Sequence, residues 1–256
     1  MRDALGDRMK RLYERRTQTE LPRRTYTLLR IDGRAFHTYT KGCARPYDSD
    51  LMADMDATAQ ALCGAIDGAR FGFVQSDEIS LLLTDFDGLG SEAWFDGNIQ
   101  KIVSVAASLA TAHFNAARAS RDMDSLACFD ARVWTIPEAA EVANYFIWRQ
   151  QDATRNSISM TARAYFPHRE CQGKSTDALQ ELLFTQAGIN WNNLPVGFKR
   201  GRAIVKESME HETTYTDKRT GEIRSTKAIR SFWACVEPPV FTQDRAWLLE
   251  KIPTVS

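Results

Sequence analysis

The first 136 residues alternate between two hydrophobic patterns, and the order of these patterns leaves few folds open. Short runs of β-branched, aromatic and aliphatic residues predict strands over residues 25–31, 71–74, 79–83 and 131–136. Between them, apolar residues recur every three or four positions over residues 51–66 and 99–114, which predicts two amphipathic helices. The predicted order is therefore strand, helix, hairpin, helix, strand.

This order matches the β-α-β-β-α-β unit, so we expect an α+β fold with a ferredoxin-like or polymerase-palm-like sheet and helices on one face. Residues 138–161 and 175–185 have helical patterns and residues 201–205 an extended one, which predicts a C-terminal α/β extension. We expect either a catalytic core over 1–136, including a charged N-terminal helix, with 137–256 completing the site, or one domain that contains both.

Composition and charge exclude several classes of protein. The chain has 33 Lys plus Arg and 33 Asp plus Glu, so it is not uniformly basic, although one face can still carry a basic patch. No run reaches the roughly 18 apolar residues of a membrane span, and the N-terminal residues lack the apolar core of a signal peptide. The 5 cysteines contain no C-x-x-C pair, which argues against a zinc site or a disulfide framework. We therefore expect a cytoplasmic protein without membrane contact.

Acidic residues stand at the ends of two strands that are neighbours in such a sheet. Asp32 and Gly33 follow the first strand, and Asp77 and Glu78 lie at the tip of the predicted hairpin. Two carboxylates a few ångströms apart repel each other unless a cation lies between them, and Mg²⁺ accepts one or two carboxylates together with substrate phosphates. We predict a metal site of Asp32, Asp77 and the Gly33 carbonyl, supported by Glu78. The alternative is a plain Asp-Gly turn and an ordinary hairpin loop.

Three further segments are candidates for contacts with phosphate or nucleic acid. The backbone N–H groups of residues 32–37 can cradle a triphosphate, with Arg34 or His37 adding charge, although His37 can equally be a hydrogen-bonded loop residue. Residues 45–48 form either a binding loop or a helix cap at Asp48 or Ser49. Residues 148–157 mix aromatic, Arg, Gln and Asn side chains, which suits nucleic acid or a helix with one solvated face.

Five motifs together resemble the tRNA(His) guanylyltransferase family over about residues 25–205. They are R-I-D-G-R-A-F-H (30–37), R-P-Y-D (45–48), Q-S-D-E-I-S (75–80), F-D-A-R (129–132) and W-R-Q-Q-D (148–152). The resemblance implies a polymerase palm, usually assembled as a homotetramer. It also implies 3′→5′ addition of nucleotides to the 5′ end of a tRNA, with two Mg²⁺ ions, ATP or GTP, and contact with the acceptor stem.

The resemblance assigns roles to individual positions. Asp32, the Gly33 carbonyl and Asp77 match the metal ligands of the family. The positions that match contacts with the activating nucleotide are Arg34, Ala35, Phe36, His37 and Ser76. The positions that match contacts with the incoming triphosphate or the activated end are Arg45, Asp48, Lys101, Arg132 and Asn156. From its surroundings alone, Lys101 is explained equally well as a lysine that extends from an apolar helix face to solvent.

The chain departs from the guanylyltransferases proper at several positions. It has Tyr47 where they have the Asn of K-P-N-D, Thr-Arg-Asn-Ser at 154–157 where they have H-I-N-N, and Asn98 where they have Arg. At these positions the chain resembles the guanylyltransferase-like branch of bacteria and archaea. The resemblance implies template-dependent repair of 5′-truncated tRNAs, with G addition to tRNA(His) as the narrower role. Two other classes remain open, a palm-type nucleotidyl cyclase and a non-catalytic tRNA-binding module.

Overall fold

The computed structural model describes residues 3–119, 121, 125–216, 219, 221 and 223–254. The helices are α1 (Ala4–Leu12), α2 (Phe36–Tyr39), α3 (Ser49–Ala65), α4 (Ile99–Arg118), α5 (Ala139–Tyr165), α6 (His168–Cys171), α7 (Thr176–Ala187), α8 (Val196–Arg200) and α9 (Arg245–Leu249). The strands are β1 (Tyr26–Gly33), β2 (Ala69–Gln75), β3 (Glu78–Leu83), β4 (Phe129–Ile136), β5 (Arg202–Thr216) and β6 (Ile223–Val236).

The described strands form one antiparallel sheet in the order β4-β1-β3-β2-β5-β6. The hydrophobic patterns correctly predict the order of β1, α3, β2, β3, α4 and β4 along the chain. β1 lies between β4 and β3, so its backbone groups are hydrogen-bonded on both sides. The strand continues two residues beyond the predicted end at residue 31, and Asp32 and Gly33 are therefore held within the ladder.

Both faces of the sheet are covered by helices, so the prediction of helices on one face is wrong. On the first face, Leu29, Ile31 and Leu81 pack against α3 and α4. On the second face, Leu28 and Phe71 pack against α5 and the segment that contains α9. The reason lies in the strands, because β1 and β3 carry apolar residues at both odd and even positions. A strand of that kind exposes an apolar surface unless both faces are buried.

The C-terminal half completes the same sheet. β5 pairs with β2 through only three residues, Arg202, Ala203 and Ile204, while its ladder with β6 extends to Thr216. The second core therefore contains residues from both sides of position 136, and the division into two parts stays a prediction. α1 buries none of its residues, in keeping with the predicted charged helix. Within the described ranges, the helices are too short or too polar to cross a bilayer.

Candidate nucleotidyl-transfer site

The structure brings the ends of β1 and the β2–β3 hairpin together. Asp32 stands opposite Glu78 in the β1–β3 ladder, and the Gly33 N–H donates a hydrogen bond of 3.1 Å to the carbonyl of Asp77. Ser76 and Asp77 form the tight turn between the two strands, with Ser76 in the left-handed region at φ +47°. Asp32, Gly33, Ser76 and Asp77 consequently line one cleft of about 680 Å³.

The two aspartates form an uncompensated acidic pair. Burial, together with the charges of Asp32 and Glu78, raises the pKa of Asp77 to about 6. The pKa of Asp32 is also raised, first by burial and then by the charge of Asp130. Neither aspartate forms an ion pair with any residue that the structure describes. A divalent cation between the two carboxylates would relieve this repulsion.

The donor set fits Mg²⁺ rather than a metal held entirely by the protein. In the described part of the chain, no group of three or more His, Cys, Asp or Glu side chains is arranged to hold a metal ion. Mg²⁺ is typically bound by one or two carboxylates and completes its octahedral shell with substrate phosphates and water. Asp32 and Asp77 match that requirement, with the Gly33 carbonyl as the predicted third oxygen.

The loop after β1 is shaped by a buried aromatic side chain. The Phe36 ring lies in the first core, with its centroid 5.5 Å from Phe114 and 5.2 Å from Phe129. Ala35 adopts the left-handed conformation, at φ +54°, and α2 begins directly after it. The first N–H groups of a helix have no acceptor within the helix, so those of Phe36 and His37 are available to an anion in the cleft. Because the Phe36 side chain packs in the core, only the backbone of this residue is left to contact a ligand.

Gly33 allows the close approach of the Phe36 ring. A Cβ atom at position 33 would lie 2.2 Å from Cδ2 of Phe36, so Gly33→Ala must displace the ring or the loop. We expect Gly33→Ala to lower the free energy of unfolding by about 1–3 kcal/mol and to weaken nucleotide binding. Urea unfolding and calorimetric titration with ATP measure the two effects. Gly42→Ala is the matched control, since a Cβ there meets nothing within 4 Å. Wild-type behaviour of Gly33→Ala would contradict this account of the loop.

The R-P-Y-D loop also lines the cleft, and Asp48 caps the N-terminus of α3. Oδ1 of Asp48 accepts from the Leu51 N–H at 2.8 Å, and Oδ2 accepts from the Ala44 N–H at 3.0 Å. Burial opposes ionisation of Asp48, but these hydrogen bonds outweigh it and lower its pKa. Arg45 is exposed and donates to the Thr40 carbonyl at 3.1 Å. Arg45 and Asp48 line the cleft together with Ala35, His37 and Arg163.

Glu78 is not among the residues that line the cleft, and its carboxylate is engaged by Arg149. Nε of Arg149 donates to Oε1 of Glu78 at 2.8 Å, and Nη2 donates to Oε2 at 2.6 Å. Both residues are buried, and Ser80 also donates to Oε1 at 3.2 Å. With both oxygens engaged, Glu78 ties the hairpin to α5, and its supporting role at the metal site stays a prediction. Sequence reasoning missed this partner, although Arg149 within the W-R-Q-Q-D motif is the signal.

Four other predicted residues do not line the cleft: Arg34, Lys101, Arg132 and Asn156. Arg34 is exposed, and its backbone N–H donates to the Cys128 carbonyl at 2.8 Å. Lys101 lies in the first turn of α4, where its Nζ is 5.9 Å from the centroid of the Phe95 ring. The neighbouring Ile102 lines a pocket together with Thr27 and Leu83, which face each other in the β1–β3 ladder. This pair lies five positions along the strands, or roughly 17 Å, from the pair of Asp32 and Glu78. Within this chain, Lys101 is therefore at the opposite end of the sheet from the acidic pair.

Arg132 and Asn156 lie closer to the acidic pair. Arg132 is on the edge strand β4, 3.7 Å from Asp130, and its charge offsets part of the rise in the pKa of Asp32. Asn156 on α5 donates to Asp152 at 3.3 Å and lines a small pocket that adjoins the cleft. Both are thus near the cleft without forming part of its wall.

An acidic pair in a cleft that also carries arginines is what metal-dependent nucleotidyl transfer requires, so the site fits a nucleotidyltransferase. Comparisons with known proteins identify which one. The family model described as "Thg1: tRNAHis guanylyltransferase" matches residues 6–137. The chain belongs to this tRNAHis guanylyltransferase family, which confirms the resemblance seen in its motifs.

Solved structures and curated relatives extend the match over nearly the whole chain. A bacterial tRNA(His) guanylyltransferase (Thg1)-like protein in complex with ATP is 43% identical, with a TM-score of 0.84, covering 98% of this chain and 100% of the other. A corresponding complex with GTP is 42% identical, with a TM-score of 0.76 and the same coverage. The tRNA(His) guanylyltransferase of Debaryomyces hansenii is 26% identical over 249 residues, 88% of this chain and 92% of that protein.

Proposed function

We propose that this enzyme adds nucleotides in the 3′→5′ direction to the 5′ end of a tRNA, as template-dependent repair of a truncated end. The observation that carries the proposal is the uncompensated pair Asp32 and Asp77, which share a cleft with the loop after β1. Family membership and the ATP- and GTP-bound relatives support nucleotide binding in such a cleft. G addition to tRNA(His) is the narrower form of the same activity.

The reaction has two steps at one site. An oxygen of the RNA 5′-monophosphate attacks the α-phosphorus of a nucleoside triphosphate, and pyrophosphate leaves. The 3′-OH of the incoming nucleotide then attacks the activated 5′-phosphorus, and a nucleoside monophosphate leaves. Two Mg²⁺ ions held by Asp32, Asp77 and the Gly33 carbonyl would neutralise phosphoryl oxygens and favour deprotonation of the attacking hydroxyl.

The chain's own residues bind and orient the phosphates. Phe36 and His37 line the cleft, and their N–H groups, the first two of α2, would suit the oxygens of a triphosphate. Arg45 and Arg163 line the same cleft, and neither forms an ion pair with a described residue, which leaves both free to meet phosphate charge. Such local cations let a chain of zero net charge bind the 5′ end and acceptor stem of a tRNA.

Three further features belong to this proposal. The sheet order β4-β1-β3-β2, with carboxylates at one end of β1 and at the hairpin tip, supports a palm-like core. The family resemblance supports a homotetramer. The cysteine pattern without C-x-x-C pairs supports the cytoplasm as its location.

The decisive test uses a 5′-³²P-labelled tRNA that lacks its first nucleotide, incubated with Mg²⁺, ATP and each nucleoside triphosphate in turn. We expect extension only by the nucleotide complementary to the opposite base, seen as one added position on a sequencing gel. Addition of G to full-length tRNA(His) alone would indicate the narrower role. Failure to extend either RNA would refute the proposal, and formation of a cyclic nucleotide from ATP or GTP alone would favour a cyclase.

A further inference from the structure

A basic pocket of about 210 Å³ lies next to the cleft, at the C-terminal end of α5. It is lined by Arg163 of α5, His168 of α6 and Lys174 of the turn between α6 and α7. Arg163 also lines the cleft, so the two cavities adjoin at this side chain. A group bound in the basic pocket would therefore be a direct neighbour of the group held near Asp32 and Asp77.

The basic pocket is built on packed helices. Cys171 and Leu179 line it from below, and both are buried in a third core between α5, α6 and α7. Gly173 turns the chain in the left-handed region, at φ +74°, and the Lys174 N–H donates to the Cys171 carbonyl at 3.3 Å. The backbone that carries Lys174 is thus fixed next to the end of α5.

The positive charges of the basic pocket are not neutralised within the described part of the chain. Arg163, His168 and Lys174 are exposed, and none of them forms an ion pair with a described residue. The described residues that line the pocket include no Asp or Glu, while Ser159 and Gln172 add hydrogen-bonding groups. The complementary ligand is an anion, and a phosphate can accept hydrogen bonds from an arginine and a lysine at once.

Two other cavities that adjoin the cleft are less suited to an anion. A small pocket of about 70 Å³ is largely apolar, and its Arg202 is already paired with Asp56. A pocket of about 520 Å³ is lined by Arg45 but also by Asp48 and Asp50. Of these three neighbours of the cleft, only the basic pocket combines several cations with no carboxylate.

We propose that the basic pocket binds a backbone phosphate of the RNA substrate, at the first or second internucleotide linkage from the 5′ end. The inference rests on the proposed function and names the part of the RNA that is held beside the reacting end. An RNA strand carries one phosphate at every nucleotide, so a strand whose 5′ end reacts in the cleft places further phosphates next to it. Such a contact positions the strand without reading a base, which suits an enzyme that takes its sequence information from the opposite strand.

Lys174→Gln tests this assignment, because it removes one charge of the basic pocket and leaves Arg163 in place. Fluorescence anisotropy with a 5′-truncated tRNA, without nucleotide, is expected to show about tenfold weaker binding. The slope of log Kd against log salt concentration should fall by about 1. We expect Lys174→Arg to bind RNA like wild type, and the affinity of Lys174→Gln for ATP, measured by calorimetry, to stay within about twofold of wild type.

Lys10→Gln is the matched control. Lys10 is an exposed lysine on α1 that lines neither the cleft nor the basic pocket. The same charge is lost from the chain, so a general electrostatic effect on RNA would be equal in the two variants. We expect Lys10→Gln to bind the truncated tRNA within about twofold of wild type.

A truncated tRNA with a single neutral methylphosphonate linkage identifies the phosphate that is bound. With wild type, neutralising either the first or the second linkage is expected to weaken binding about tenfold. With Lys174→Gln, the same RNA should lose little further affinity, because the two changes remove the same contact. A neutral linkage near the 3′ end is the control on the RNA side.

Wild-type RNA affinity in Lys174→Gln would overturn the inference, and so would an equal loss in Lys10→Gln. Equal losses for RNA and ATP would overturn it too, because the basic pocket would then bind the nucleoside triphosphate. If neither neutral linkage weakened binding, the bound phosphate would not be the one proposed. Failure of the proposed function is distinguishable, because wild type would then bind the truncated tRNA without extending it.

Discussion

Asp77→Asn is expected to abolish nucleotide addition, with kcat/KM reduced at least about 10³-fold, because it removes a negatively charged ligand from the acidic pair. The same substitution is expected to stabilise the metal-free protein. Asparagine keeps the size of the side chain but carries no charge. It therefore removes both the cost of burying the Asp77 carboxylate and its repulsion by Asp32. Loss of activity joined to a gain in stability would mark Asp77 as a functional residue whose charge opposes folding.

The pH dependence of this gain follows from the direction of the shift. The pKa of Asp77 is about 6 in the folded protein against an ordinary value of 3.8, so between these pH values the folded state binds more protons than the unfolded state. The contribution of wild-type Asp77 to the free energy of unfolding therefore falls as pH rises from about 4 to about 6, and then stays low. Asp77→Asn should add about 1–2 kcal/mol at pH 8 and less at pH 5.

Urea unfolding in EDTA measures this stability, and the truncated-tRNA extension assay measures activity. Asp67→Asn is the matched control, because Asp67 is exposed and lies in the pocket at the opposite end of the sheet. We expect it to change neither quantity appreciably. Normal activity in Asp77→Asn would exclude Asp77 as a metal ligand, and lower stability at pH 8 would contradict the repulsion between the two aspartates.

Arg149→Met is expected to lower the free energy of unfolding by about 3–5 kcal/mol, the largest stability effect that we expect from one substitution in this chain. Arg149 is 5% exposed and bonds both oxygens of Glu78, so its removal leaves a buried carboxylate without its cation. The double variant Arg149→Met/Glu78→Met removes both charges and should recover most of this loss. A double-mutant cycle in urea gives the coupling between the two residues.

Arg155→Met provides the comparison on the same helix. Arg155 bonds Asp152 at 2.8 Å but is exposed, so its loss should change the free energy of unfolding by less than about 1 kcal/mol. Similar effects of Arg149→Met and Arg155→Met would show that the Glu78 contact is not a buried structural ion pair. Failure of the double variant to regain stability would assign the loss to packing of α5 rather than to the unpaired carboxylate.

Much of the sheet could be predicted because each strand and helix has its own local pattern. The periods of about two and of three to four residues are local properties, and they located β1, α3, β2, β3, α4 and β4 in order. The covering of the second face was missed, although Leu28 and Leu29 are adjacent apolar residues in one strand. Neighbouring side chains on a strand point to opposite faces, so this pair already required two cores.

The candidate site was predictable only where its chemistry lies next to a strand end. Asp32 and Asp77 could be proposed from the sequence because one lies at the end of a predicted strand and the other at the tip of a predicted hairpin. Arg149 is 71 positions from Glu78, and no local pattern indicates which buried arginine meets which buried acid. The distance of Lys101 from the acidic pair within this chain could not be predicted, because a motif match gives no position along the sheet.

The late position of α5 and β5 in the chain has a consequence for synthesis on the ribosome. When residue 137 leaves the exit tunnel, β1 to β4 and both helices of the first face can already assemble, yet Leu28, Phe71 and Phe73 have no cover. β2 is also an unpaired edge until Arg202–Ile204 arrive. A nascent chain in this state exposes an apolar face and an unpaired strand edge, two features that favour aggregation. We therefore expect folding without aggregation to require that α5, β5 and α9 cover this face soon after they are synthesised.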